Sequence, residues 1–152
     1  MTMSALPFPV LAHASGARFY ALRLPPGQEL LSALHAFIDH HQLQAAWIAG
    51  CTGSLTDVAL RFAAREETTR LSGTFEVISL SGTLERGGEH LHLSVADENG
   101  AMTGGHVMPG NTVRTTLELV IGELTAYTFS RAPCPASGYD ELAVSLRNII
   151  PL

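Results

Sequence analysis

The chain reads as an α+β domain: a mainly antiparallel β-sheet with one principal helix. Three observations predict this class. A single segment, residues 28–42, repeats apolar residues at clear helical spacing. From residue 45 onward, short runs that alternate apolar and polar residues dominate, as in half-buried strands. Compact turn sequences separate those runs, with Glu85-Arg86-Gly87-Gly88 and Asp97-Glu98-Asn99-Gly100 the clearest, as in successive hairpins. A doubly wound nucleotide fold would instead alternate strand and helix throughout.

The elements follow in order. Residues 1–16 are punctuated by prolines at the start and form an extended arm. Residues 17–24 alternate, include Phe19 and Tyr20, and read as a strand. Pro25-Pro26-Gly27 is a turn. Over 28–42, Leu30, Leu34, Phe37, Ile38 and His41 recur at helical spacing. Glu29 in the first turn and His40 and His41 in the last complement the helix macrodipole. Residues 45–50 form a short apolar strand holding Trp47. Gly50-Cys51-Thr52-Gly53-Ser54 predicts a turn or bulge, and 55–63 is a strand with Val58, Leu60 and Phe62 on one face. A polar connection at 65–70 leads to a strand at 74–81. The segment beginning at Glu89 is the next strand, and 101–107 follows the Asn99-Gly100 turn. Pro109-Gly110-Asn111 turns again, and strands at 115–121 and 124–130 complete the sheet. Beyond residue 132, Pro133 and Pro135 flank Cys134 in a looser tail.

A length of 152 residues suits one domain. The chain is 46% hydrophobic and 15% charged, with a mean hydropathy of +0.20. Such an apolar composition predicts a large core, or apolar surface covered by sister subunits. No apolar run approaches the roughly 18 residues that a membrane span needs. Residues 1–9 hold two prolines and no basic residue, unlike a signal peptide, so a cytoplasmic protein without a membrane partner is expected. All nine basic residues are arginine, they are scattered, and the net charge is −5. DNA binders normally carry a basic patch, because phosphate neutralisation supplies most of their affinity, so the charge disfavours DNA as a partner. Cys51 and Cys134 fall in no paired motif and read as reduced thiols. Neither a P-loop nor Gly-x-Ser-x-Gly occurs, and no catalytic motif is found.

The chemistry concentrates in Glu89-His90-Leu91-His92-Leu93-Ser94-Val95 and Gly104-Gly105-His106. Histidines at i and i+2 on a strand share one face, with Leu91, Leu93 and Val95 on the other. His92 lies seven residues before Asn99 and His106 six after Gly100, so a hairpin there makes His106 a cross-strand neighbour of His92 or His90. The Gly-Gly pair before His106 allows a tight turn or close backbone approach. Three neutral imidazoles suit a divalent transition metal, zinc foremost, and leave positions open for water or a ligand. Glu118 is a lone carboxylate inside an apolar strand, which makes it the candidate for orienting an imidazole or meeting a ligand. His35, His40 and His41 read as structural helix residues, and His13 belongs to the arm.

At these residues the chain resembles the plants-and-prokaryotes-conserved (PPC) domain in its stand-alone prokaryotic form, the family also called PD1-like DNA-binding. The resemblance rests on Gly73-Thr74-Phe75-Glu76-Val77-Ile78-Ser79-Leu80-Ser81-Gly82, on His90-Leu91-His92-Leu93-Ser94-Val95-Ala96-Asp97, and on Gly104-Gly105-His106-Val107. Gly110 and Thr116-Leu117-Glu118-Leu119-Val120-Ile121 extend it, so that it runs from about Phe19 to about Phe129. It implies one helix packed on a mainly antiparallel sheet, assembled as a homotrimer. It also implies a metal set at His90, His92 and His106. The plant members' DNA contact uses a preceding basic hook of the Arg-Gly-Arg-Pro type, which does not occur in this sequence. DNA binding or transcriptional regulation, as the family name suggests, is the alternative role. The domain body is then 17–132, with the arm at 1–16. The tail at 133–152 packs on the domain or on a neighbouring subunit.

Overall fold

The computed structural model describes residues 12–147. Their elements are β1 (Ala17–Leu24), α1 (Leu30–His41), β2 (Ala46–Arg61), β3 (Thr69–Glu85), β4 (Gly88–Ala96), β5 (Met102–Val107), β6 (Thr112–Leu124), β7 (Tyr127–Pro133) and β8 (Asp140–Leu146). The expected α+β class is the observed one. Six strands form one antiparallel sheet in the order β1-β6-β2-β3-β4-β5. The sheet curls until β5 also pairs with the far end of β2, Leu60 opposite Val107 and Arg61 opposite His106. β7 and β8 form a separate two-stranded sheet. Among the described residues, no helix is long and apolar enough to cross a membrane.

The helix forms where its apolar stripe predicts. Leu30, Leu31, Leu34 and Ile38 are buried, and they join sheet residues such as Leu55, Leu60, Leu91, Leu93, Leu117 and Ile121 in one core. Glu29 sits just outside the first turn as its cap, accepting from the Ser32 N–H at 2.8 Å. The same carboxylate accepts from the Gly110 N–H at 3.0 Å, which ties the helix start to the turn before β6. Burial raises the Glu29 pKa, but these N–H donors outweigh it and hold the group below the ordinary carboxylate value. Gln42 closes the helix in the left-handed conformation, with its N–H returning to the Ile38 and Asp39 carbonyls.

The structure corrects three boundaries. Of the turn or bulge expected at 50–54 the bulge is found, and the strands expected on either side are one 16-residue strand, β2. Bulges absorb the glycines there, with register shifts between Ile48 and Gly50 and between Gly53 and Leu55. Gly53 has φ +146°, and a Cβ would lie 2.1 Å from the Thr116 carbonyl oxygen, so close approach to β6 requires glycine. β3 likewise extends to 17 residues, because both of its ends find partners on β2 or β4. β6 continues past Gly122, whose bare backbone lies under the Trp47 ring, and the chain turns at Thr125-Ala126 instead. In the expected tail, residues 140–146 are ordered as β8 against β7. The expectations for 1–11 and 148–152 lie outside the described residues.

Candidate metal centre

His90 and His92 stand on β4, where Leu91, Leu93 and Val95 are buried as the alternation predicts. Their imidazoles therefore project from the opposite face. β5 pairs antiparallel with β4 and sets His106 directly across from His92. The Gly104-Gly105 pair does not turn; it lies within β5. Its role is close approach: a Cβ at Gly105 would sit 2.8 Å from the Arg61 carbonyl oxygen. The pair thus lets β5 bridge β4 and β2 while carrying His106 inward.

The three rings converge. His90 Nε2 and His92 Nε2 are 3.2 Å apart, and one ligand nitrogen from each of the three histidines lies within 4.8 Å of the others. Ring centroids are 5.0, 5.2 and 5.8 Å apart. Tetrahedral donors at about 2.1 Å from a zinc ion would be about 3.4 Å from one another. One pair is already near that spacing, and the others, within 4.8 Å, need close by no more than about 1.4 Å, which side-chain torsions can supply. Burial lowers the pKa of His90, and His92 and Arg131 lower it further. Burial also lowers that of His106, followed by the charge of Arg61. Both shifts favour the neutral imidazole, the form that ligates a metal. The donor set fits a divalent transition metal, which these three side chains would hold; such an ion would supply Lewis acidity and an exchangeable position.

The histidines open into a cleft of about 800 Å³. Residues that pattern reading passed over line it: Arg61, Glu89, Arg131, Tyr139, Asp140 and Glu141. Arg131 comes from β7 and donates to the buried Glu85 carboxylate at 2.7 Å. Glu89 accepts from His35 Nε2 at 2.6 Å when that nitrogen carries the proton, so a helix histidine touches the edge of the site without entering it.

Glu118 is not brought to the histidines. It is exposed on β6, opposite Arg23 on β1 and Thr52 on β2, and borders a shallow apolar hollow beside Cys51. Thr52 precedes Arg61, the cross-strand partner of His106, by nine positions along β2 (61 − 52). That is roughly 30 Å of strand at about 3.3 Å per residue. Within one chain Glu118 cannot orient those imidazoles. The buried carboxylate of β6 is Glu123, fully inaccessible and held by Arg18, Arg147 and the Gln44 N–H. Both cysteines are free thiols.

Comparisons with known proteins agree with this architecture. A Salmonella cholerae-suis protein of known structure is 73% identical and superposes with a TM-score of 0.88, covering 89% of this chain and 98% of its own. A metal-containing protein from Archaeoglobus fulgidus is 21% identical, with a TM-score of 0.76 over 90% of this chain and 99% of its own, a likeness of fold. The bifunctional protein GlmU of a Synechococcus strain is 45% identical over 127 residues, or 84% of this chain. The chain spans about one fifth of the length of the GlmU relatives it matches. The model of the Plants and Prokaryotes Conserved (PCC) domain matches residues 12–125, which is the family expected from the sequence. The chain belongs to the Plants and Prokaryotes Conserved domain family.

Proposed function

We propose that this chain is a metal-binding domain that holds one divalent transition metal, zinc foremost, on His90, His92 and His106 and acts as a homotrimer. The observation that carries the reading is the convergence of three imidazoles on one open cleft with no carboxylate among the donors. A fold relative described as metal-containing supports it. The remaining coordination position then serves a small ligand. The trimer accounts for Phe19 and Val120, which are 62% and 40% exposed on the outer face of β1 and β6 beside the apolar hollow. DNA association, as the family's other name suggests, takes second place because the chain is acidic and its arginines are dispersed.

Elemental analysis of protein purified without an affinity tag tests the site. One equivalent of zinc or a related metal per chain is expected, and none in a folded His92→Ala variant. Wild-type protein that takes up no stoichiometric metal refutes it. Sedimentation at micromolar concentration tests the assembly, and a monomer there removes the trimer.

A further inference from the structure

Two arginines reach the histidine cleft, and they differ in how their charge is met. The Arg131 guanidinium donates to both oxygens of the buried Glu85 at 2.7 and 3.2 Å and to Thr83 Oγ1 at 3.1 Å. Its charge is met within the protein by the Glu85 carboxylate. Arg61, the last residue of β2, is also partly buried and lines the same cleft. Among the described residues it forms no ion pair. It lies opposite His106 in strand register. A partly buried guanidinium usually finds an acceptor, and its planar fork matches a carboxylate or phosphate.

We propose that Arg61 is the anion receptor of this cleft: the ligand taken beside the three-histidine site carries a carboxylate that the guanidinium fork grips. The inference rests on the metal reading, because a divalent cation held by neutral imidazoles leaves excess positive charge next to Arg61. A singly charged carboxylate fits better than a phosphate dianion. Glu89, Asp140 and Glu141 border the same cleft, so a second negative charge meets repulsion there. Those rim acids accept hydrogen bonds, which suits a ligand whose other end bears hydroxyl or amino donors.

The test uses the full chain loaded with cobalt(II), whose visible absorption reports its ligands. Acetate should shift the band saturably, at concentrations about tenfold below those at which inorganic phosphate or chloride act. Arg61→Gln should weaken the acetate response about tenfold or more at unchanged cobalt stoichiometry, as loss of a charge-assisted bidentate contact requires. Arg61→Lys, which keeps the charge but not the fork, should fall between. If no cobalt band forms, the metal reading fails, and this inference with it. If the band forms but ignores acetate, or if Arg61→Gln responds like the wild type, the anion receptor is overturned and the metal site stands. A phosphate response as strong as that of acetate overturns the choice of carboxylate.

Discussion

Glu123 is the charged group whose removal should cost the fold most. Its side chain is fully buried, with Arg18 Nη2 at 2.5 Å, the Gln44 N–H at 3.0 Å and the Arg147 guanidinium in contact. In Glu123→Gln the amide oxygen can still accept from Gln44, but both arginines lose their counter-charge. The Arg18 side chain is 57% exposed, so water replaces much of its bond, which is then worth at most about 1 kcal/mol. Arg147 is 21% exposed, and its charge-assisted bond is worth about 1.5–3 kcal/mol. The sum is about 3 kcal/mol, or roughly 6–12 °C in Tm for a chain of this size. Burial alone would raise the Glu123 pKa, but the Gln44 N–H, Arg18 and Arg147 together hold it below the ordinary carboxylate value. The sign follows: its stabilisation is complete above the unfolded-state pKa and is lost as pH falls through the lower folded-state value. Thermal unfolding from pH 3 to 7 checks both points. Wild-type protein should lose stability steeply on the acid side, and Glu123→Gln should start lower with a flatter acid limb. A variant within 1 kcal/mol of wild type, or with an identical acid limb, would refute the assignment of Glu123 as a buried ionised anchor.

Two further outcomes follow from local geometry. Gly105→Ala puts a Cβ 2.8 Å from the Arg61 carbonyl oxygen, about 0.6 Å inside the ordinary 3.4 Å contact, so β5 must shift together with His106. Stability should fall by about 1–3 kcal/mol and zinc affinity at least tenfold, read by calorimetry; unchanged affinity would show that β5 has slack at this point. The two thiols should differ in reactivity. Burial pushes Cys51 up to about 12, whereas the Ser137 N–H and hydroxyl and the Ala136 N–H lower Cys134. A thiol-specific reagent at pH 7.5 should label Cys134 first, as mass spectrometry of the digested protein would show; faster labelling of Cys51 would contradict the burial argument.

Local patterning carried much of the fold. The helix was legible because Leu30, Leu34 and Ile38 share a face, and β4 because Leu91, Leu93 and Val95 alternate with His90 and His92. The facing of His92 and His106 followed from hairpin arithmetic around Asn99-Gly100, and the register bears it out. Contacts without a local signature were not legible. Closure of β5 onto β2 brings Arg61 to His106 across 45 residues (106 − 61), and nothing near either residue announces it. Arg131 and Glu141 arrive on the β7–β8 hairpin: Arg131 follows the strand expected at 124–130, while Glu141 was hidden in a segment whose prolines suggested a loose tail. Glu118 stood out on β6 as a lone carboxylate in an apolar strand, whereas the buried acid of that strand is Glu123. Glu118 sits among larger apolar neighbours, yet period 2 turns it outward. Glu123 is buried because the same period turns it to the inward face that Ile121 occupies, and distant arginines compensate the charge. Glycines at 50 and 53 left two alternatives open: a bulge and a turn use the same residues, and only the partner strand decides between them, here for the bulge.

X-ray absorption at the metal edge of the zinc-loaded protein tests the central claim most directly. The account predicts a nitrogen/oxygen shell at about 2.0–2.1 Å with the outer-shell scattering of three imidazoles, leaving one non-imidazole donor. A spectrum dominated by sulfur, or by oxygen with fewer than two imidazoles, would contradict it.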